Sequence, residues 1–477
     1  MSRRTAIGLS LAIAAAVLLF FFSPPGLSPE ARRLAAVWGV VVVLWISEAI
    51  PLAVTAMLAP SLAVLFGVAP VRDAFAGFGD PVLYLLVGSF FLARAFELSG
   101  LGRRFAYSIL TLPGIAGHPM RILPVYGSIC YAISMWTSNT ATTALMFPIG
   151  LSVLKAIEDG RTKGRYATCL LLLCAFGASI GGLATPVGTP PNLIGLGLIE
   201  RAIGHRPTFL EWMAVAVPVS LVMLAGLMAL FLFAVRNDPA AQPRPTPGLL
   251  AERATFGPWS LREKVVLGVF LFTVVLWLAP GFVAVVAGDA APVSRRIAAL
   301  LPESVAALLG AGLLFIVPAG GRPALLWDEG YDIDWSTIVL FGGGICLGTL
   351  MLSSGLAGSL GEILRAASGV TSPIGVVALV SGLAIFLSES SSNTASATLI
   401  VPIAIAMSTA VQIDPVAPAL AATAASSLGF MLPVSTAPNA IVFGSGRIRL
   451  IDMARYGIAL DLFGFVVLVV TAALLLR

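Results

Sequence analysis

The sequence predicts an all-α polytopic membrane protein with about eleven transmembrane helices and two re-entrant hairpins, arranged as an inverted-topology repeat. Three observations carry that expectation. Of 477 residues, 58% are hydrophobic and only 11% charged, and the mean hydropathy is +0.99. A soluble domain of that composition would lack the charged surface that keeps it in water. Apolar runs of roughly 17–25 residues, the length that crosses a bilayer, recur along the whole chain. Two distant segments also match at membrane depth. SNTATTALMFPIG (Ser138–Gly150) lies over SNTASATLIVPIA (Ser392–Ala404), with Ser, Asn, Thr, Ala, Leu and Pro coinciding.

The first apolar run, Ala6 to Phe22, follows Ser2-Arg3-Arg4 and resembles a secretory signal in length. Bulky Leu18-Leu19-Phe20-Phe21-Phe22 then runs into Ser23-Pro24-Pro25-Gly26, with no small-residue cleavage site. Residues 1–29 are therefore expected to hold a retained, extra helix. Further spans are expected at 34–50, 52–69, 82–98, 166–186, 212–235, 262–286, 302–318, 335–353, 415–433 and 455–476. Two blocks, about 119–156 and 373–411, are too long for one crossing and are interrupted by the Ser-Asn-Thr triplets. As re-entrant hairpins they would hold the triplets inside the membrane, where irregular backbone must be buried or line a cavity. As paired crossings they would place them outside. Both readings leave the same parity.

The displacement that carries Ser138 to Ser392 also places Asp80 on Asp334, Gly88 on Gly342 and Ser134 on Ser388. Downstream of each triplet comes a second matched pair, TPVGTPPN (Thr185–Asn192) and LPVSTAPN (Leu432–Asn439). Its displacement is shorter, because the first copy carries a longer charged connection, Glu158 to Arg165. Two homologous halves follow, 30–235 and 262–477, joined by a Pro-rich linker at 236–261. Five expected crossings per half invert the second copy, the architecture of many secondary transporters.

Arg103, Arg104, Arg121, Arg161, Lys163, Arg165, Arg236, Arg253, Lys264, Arg447, Arg449 and Arg455 all fall on the N-terminal side of this map. That side holds about twice the Lys and Arg of the other, which makes it cytoplasmic and puts the C-terminus outside. The net charge of +5 is thereby explained by topology, and no nucleic-acid partner is expected. Short loops and the lack of targeting extensions point to a bacterial-type inner membrane. Cys130, Cys169, Cys174 and Cys346 show no metal-ligand spacing and read as packing residues.

Ser, Asn and Thr are favoured helix N-caps, so each triplet reads as the start of a second hairpin arm. Free amides and the helix dipole at such a tip favour an anion, and Asn and Thr can donate to a carboxylate. In Thr-Pro-Pro-Asn and Thr-Ala-Pro-Asn, proline breaks an intramembrane helix and frees carbonyls, which suit a monovalent cation such as Na⁺. From Ile122 to Leu154, Tyr166 to Ile199 and Ala366 to Gly446 there is no Lys, Arg or His. A dianion held there has no fixed cation to offset its desolvation, so co-bound cations must balance it and the two affinities are coupled. Glu389 is the one acid near a triplet, open to binding a cation or proton or to pairing locally. Glu48 reads as an interfacial structural contact, and His118 and His205 as loop residues without a role.

The paired SNT motifs, GTPPN with its counterpart STAPNAIVFGSG, and the early WISEAIPLAVTAM together resemble the divalent-anion:sodium symporter family, most of all its dicarboxylate cotransporters. The resemblance covers nearly the whole chain. It implies a homodimer of scaffold and transport domains with an elevator-type shift, carrying C4 dicarboxylates of the succinate, malate and fumarate class with several Na⁺. It implies one Na⁺ site at Ser134, Ser138, Asn139 and Gly188, and a second at Ser388, Ser391, Asn393 and Ser435. Substrate contacts would come from Ser138, Asn139, Thr140, Thr189, Ser392, Asn393, Thr394 and Thr436. Ala437 and Ser435 depart from the family pattern, where a second proline and a smaller residue are common.

The expected function is thus Na⁺-coupled import of small dicarboxylates, with Na⁺ as the co-transported ion and no organic cofactor. The rivals are a Na⁺-independent dicarboxylate exchanger and a symporter for sulfate or another divalent anion. An enzyme is not expected, since a hydrolase needs a base beside its serine and neither histidine lies near the motifs.

Overall fold

The computed structural model describes residues 3–22, 27–157, 164–204 and 206–476. The charged connection at 158–163, His205 and the prolines after the first run lie outside them. The described chain is helical throughout, with a single isolated bridge, Pro318 to Pro323, and no named strand.

The first half runs α1 (Arg3–Phe21), α2 (Pro29–Ser47), α3 (Leu52–Leu65), α4 (Val71–Ala74), α5 (Pro81–Ser99) and α6 (Leu101–Leu110). It continues through α7 (Pro119–Ser134), α8 (Asn139–Ile157), α9 (Arg165–Leu183), α10 (Pro190–Ile203) and α11 (Phe209–Val235). After α12 (Pro247–Ala254) come α13 (Leu261–Ala287), α14 (Pro292–Leu300), α15 (Glu303–Ile316), α16 (Trp327–Gly330), α17 (Trp335–Ser353) and α18 (Leu356–Ser368). The chain ends with α19 (Pro373–Ser390), α20 (Asn393–Ala410), α21 (Val416–Ala425), α22 (Ala437–Gly444) and α23 (Leu450–Leu475).

Local chemistry accounts for the boundaries. Asp80 caps α5 through the Val82 amide (2.9 Å) and its sequence partner Asp334 caps α17 through the Thr337 amide (3.0 Å). Pro119 and Pro373 open the first arms α7 and α19, where a missing N–H costs nothing. Gly100 (φ +78°) and Gly355 (φ +81°) turn the chain from α5 into α6 and from α17 into α18.

Ten described helices are long and apolar enough to cross a bilayer, or eleven if the bent pair α14 and α15 forms one span. They are not the expected set. Seven coincide with it; the other three are the arms α8, α19 and α20. The run at 52–69 yields only the 14 residues of α3, since Gly67 (φ +66°) turns the chain. At 415–433 the helix stops at Ala425, and the next eleven residues are irregular up to α22. Apolar composition cannot distinguish a long helix from a short one followed by buried irregular backbone.

The halves interlock. The short helix α3 packs on α17, and α15 packs on α5. Glycine allows both approaches: a Cβ on Gly343 would lie 2.2 Å from Ala56 O, and one on Gly88 would lie 2.7 Å from the Ala307 backbone. Sequence pairs Gly88 with Gly342, but the close approach falls one residue on. Likewise α10 packs against α20 and α21, while α22 packs against α8 and α9. Segment 236–261 is pinned rather than loose. Tyr166 N donates to Asp238 (2.9 Å), Arg244 to the Ile157 carbonyl (2.5 Å), and Arg104 to the Gly257 carbonyl (2.9 Å).

Glu48 pairs with Arg4 at 3.0 Å, the structural contact expected of it. His118 precedes α7 as its N-cap residue, and the four cysteines are free and buried.

Candidate functional site

At the first tip α7 ends at Ser134, residues 135–138 turn, and α8 begins at Asn139. Ser138 Oγ accepts the Ala141 amide (3.1 Å), as an N-cap does. Ser134 Oγ donates to Asn139 Oδ1 at 2.8 Å. That amide oxygen rests on bare backbone: a Cβ at Gly182 would lie 2.2 Å from it. Gly188 closes on the same place, where a Cβ would lie 2.6 Å from Gly182 O.

The second tip repeats the arrangement. Ser388 Oγ lies 2.7 Å from Asn393 Oδ1 and 2.8 Å from Ser426 O, so its one proton serves one acceptor at a time. A Cβ at Gly429 would meet Ser388 Oγ at 2.9 Å, Asn393 Oδ1 at 3.3 Å and Ser435 Cβ at 3.3 Å. Gly429 stands to Gly182 as Ser435 stands to Gly188, at the displacement of the second motif pair.

Ser134, Ser138, Asn139 and Gly188 therefore gather at one tip, and Ser388, Asn393 and Ser435 at the other. Ser391 is turned away, its Oγ 3.3 Å from the Trp45 carbonyl of α2, which leaves its backbone as the group near the tip. Ser138, Asn139, Ser392, Asn393 and Thr436 are half-buried, Thr140 is exposed, and Thr189 and Thr394 are buried. Thr189 and Thr436 are the N-cap residues of α10 and α22, and Thr436 Oγ1 accepts the Asn439 amide (3.3 Å). Arg201, nearest in sequence to the first break, is committed elsewhere, to Asp80 (2.6 Å) and Thr349 (3.0 Å).

Two residue pairs escaped the sequence reading. The carbonyls freed at the breaks are partly claimed by the final Asn of each motif. Asn192 Nδ2 donates to Gly182 O (2.9 Å) and Thr185 O (2.8 Å), and Asn439 Nδ2 to Gly429 O (3.0 Å) and Leu432 O (3.0 Å). These four carbonyls match pairwise between the halves, and the coincidence of Asn192 with Asn439 in TPPN and TAPN was the available signal. Each Oδ1 stays buried without a donor. The other pair is Glu389 with Ser435. Glu389 accepts Met431 N (2.7 Å), Leu432 N (3.2 Å) and Ser435 Oγ (2.5 Å). The hydroxyl that departs from the family pattern thus belongs to a brace between the second hairpin and its broken loop.

Paired broken helices with oxygen-rich tips inside a largely apolar helical bundle define an integral membrane transporter. The chain belongs to the family described as the sodium:sulfate symporter transmembrane region, whose model matches residues 3–476. This bears out the resemblance to the divalent-anion:sodium symporters. The chain is 33% identical over 463 residues to a sodium-dependent dicarboxylate transporter, SdcS, of Staphylococcus saprophyticus, covering 94% of this chain and 87% of that one. It is 32% identical over 464 residues, with the same coverage, to the protein of that name from Staphylococcus aureus. Among solved structures, the YdaH transporter of Alcanivorax borkumensis shares the fold, with a TM-score of 0.56, 15% identity and 98% of each chain covered. The family and these relatives are transporters, not enzymes.

Proposed function

We propose that this protein imports C4 dicarboxylates of the succinate, malate and fumarate class, coupled to Na⁺. The reading is carried by one observation: the two matched Ser–Asn hydrogen bonds over glycine backbone, 2.8 Å and 2.7 Å, in stretches without a basic residue. Such a site holds a dianion only when cations are bound beside it, so each ligand raises the affinity of the other. The names of the Staphylococcus relatives support both the ion and the substrate class.

On this reading Ser134, Ser138, Asn139 and Gly188 hold one Na⁺, and Ser388, Ser391, Asn393 and Ser435 a second, with Ser391 acting through its backbone. Ser138, Asn139, Thr140, Thr189, Ser392, Asn393, Thr394 and Thr436 receive the carboxylates. The halves 30–235 and 262–477 form an inverted repeat, joined by a cytoplasmic linker at 236–261 and preceded by the extra helix within 1–29. The hairpins at about 119–156 and 373–411 are re-entrant, so their tips lie near the midplane. The transport domain shifts as an elevator against the scaffold of a homodimer. The protein sits in a bacterial inner membrane with its N-terminus cytoplasmic and its C-terminus outside.

Uptake of labelled succinate into proteoliposomes, with and without an inward Na⁺ gradient, tests this directly. Uptake indifferent to Na⁺ overturns the coupling and leaves an exchanger. Sulfate is the second reading, because the matching family model is described by that anion. Succinate uptake unaffected by a large sulfate excess rules it out.

A further inference from the structure

Where α9 and α23 begin and α11 ends, arginines from three elements converge. A cavity of about 440 Å³ is lined by Arg165 at the start of α9, by Arg447 and Arg449 in the turn before α23, and by Arg455 inside α23. A second cavity of about 360 Å³ shares Arg165, Arg455 and Tyr456 with the first and adds Arg236, just past the end of α11. Both α9 and α23 pack on α11. A Cβ at Gly457 would lie 2.4 Å from Phe430 O, so the start of α23 sits directly on the bundle.

Few acids answer these five arginines. Asp452 takes Arg449, at 2.7 and 2.9 Å. Asp238 is occupied by the amides of Tyr166 and Ala240, at 2.9 Å each. The side chains of Arg165, Arg447 and Arg455 have no hydrogen bond or ion pair among the described residues, and Arg236 rests on the Phe233 ring at 4.0 Å. The connection at 158–163 adds two acids and two bases, so the excess of positive charge stands. Gly164 and Arg449, the N-cap residues of α9 and α23, give no side-chain cap. The first-turn amides of both helices therefore add to the same positive field. A charge bias set by topology needs arginines on one side of the membrane, but not around one cavity.

The second cavity is apolar on its other wall. Leu230, Phe233 and Ala234 of α11 and Ala459 of α23 line it. Leu462 and Val466, three and seven residues after Ala459, continue that face and are exposed. Arginine forks above an apolar groove on the outside of a helical membrane bundle match a ligand with an anionic head and hydrocarbon chains. We propose that this is a binding site for an anionic phospholipid. Arg165, Arg447 and Arg455 hold its phosphodiester, and its acyl chains lie along α11 and α23. A soluble dianion lacks the chains that fill the apolar wall. The bound lipid joins the starts of α9 and α23 to the end of α11 and stabilises the three helices against one another. The site shares no residue with either tip, and it stands whichever anion is transported.

Thermal unfolding of the purified protein in nonionic detergent tests this, with phosphatidylglycerol, phosphatidylcholine and inorganic phosphate as separate probes. Phosphatidylglycerol is expected to raise Tm, and the other two to leave it unchanged. Arg165→Gln/Arg455→Gln is expected to need about thirtyfold more phosphatidylglycerol for the same rise, at about a factor of five for each arginine lost. Arg295→Gln/Arg296→Gln, which removes the same charge from exposed positions on α14, is expected to respond like the wild type. A rise that survives intact in Arg165→Gln/Arg455→Gln, or that falls equally in both double variants, overturns the site. So does an equal rise with phosphatidylcholine. An equal rise with inorganic phosphate, abolished in Arg165→Gln/Arg455→Gln, assigns the arginines to a soluble anion and overturns the lipid. Should that variant not fold, hydrogen–deuterium exchange of the wild type in nanodiscs decides the matter. Slower exchange in the first turns of α9 and α23 with phosphatidylglycerol than with phosphatidylcholine sustains the site, and equal exchange there overturns it.

Discussion

At the first hairpin tip Met135 follows Ser134, and Gly188 presses so closely on Gly182 that no side chain fits. At the second, Glu389 follows Ser388, and Ser435 sends a hydroxyl to it across 2.5 Å. Both tips keep the Ser–Asn bond and the glycine beneath it. One is sealed by backbone alone, the other by a brace of carboxyl and hydroxyl. The two substitutions go together physically: a hydroxyl where Gly188 stands would meet backbone, and a carboxylate at Met135 would lack the hydroxyl that Ser435 gives Glu389. A shared scaffold with one neutral and one acidic copy makes the second of the two proposed cation sites the more tunable.

The comparison breaks first at the asparagines. Asn139→Ala and Asn393→Ala are each expected to cut Na⁺-driven succinate uptake by about a hundredfold, since each removes proposed ligands to both ion and carboxylate. Near-normal uptake by both variants in proteoliposomes would misplace the site.

Exchanging the sealing residues comes next. Gly188→Ser should destabilise the protein by about 1–3 kcal/mol through overpacking against Gly182, seen as a lower Tm in detergent. Ser435→Gly, which creates no overlap, should lower Tm less than Gly188→Ser and weaken the apparent Na⁺ affinity by about tenfold or more, the scale of one lost hydrogen bond to a carboxylate. Equal effects in the two variants would abolish the asymmetry.

The glycines under the asparagines sharpen it. A Cβ at Gly182 would lie 2.2 Å from Asn139 Oδ1, whereas at Gly429 the nearest atom, Ser388 Oγ, would be 2.9 Å away. Gly182→Ala should therefore raise the KM for Na⁺ more than Gly429→Ala. The reverse order in Na⁺ titrations of uptake would show that the first tip relaxes more readily than its packing implies.

The smallest effects belong to Thr137→Val and Ser391→Ala, which occupy matched positions. Their hydroxyls serve the Ile133 carbonyl and Thr142, and the Trp45 carbonyl. Each should change the apparent Na⁺ affinity by about threefold or less, the scale of one neutral hydrogen bond. A large loss in Ser391→Ala would mean that its side chain, rather than its backbone, holds the ion.

Much of the fold was legible because membrane burial writes a strong signal. Most long helices, the pairing of Asp80 with Asp334, and the matched hairpin arms follow from apolar runs, prolines and the displaced repeat. Span lengths were less legible. The 52–69 and 415–433 runs are as apolar as true crossings, yet one ends at Leu65 and the other at Ala425. Irregular backbone packed inside protein needs apolar neighbours as much as a helix does. At the candidate site, Asn139 and Asn393 stood out from the repeat, Ser134 and Ser388 came from the family resemblance and were paired by the same displacement, and the bonds of Asn192 and Asn439 were not legible. Their bonds run ten and seven residues back along the chain, through a turn whose shape no local pattern records.

Sequence by itself determined that this is a helical membrane protein with two copies of one motif set and no basic residue beside them, because composition and spacing carry those facts directly. Only the tertiary structure decided that α10 and α22 pack on the opposite half, that Ser391 turns to Trp45, and that Ser435 reaches Glu389. Those contacts join residues between 46 and 346 positions apart in the case of Ser435 with Glu389 and Ser391 with Trp45. Pairings over such distances are set by how helices cross, and glycines such as Gly457 fix how closely they do so.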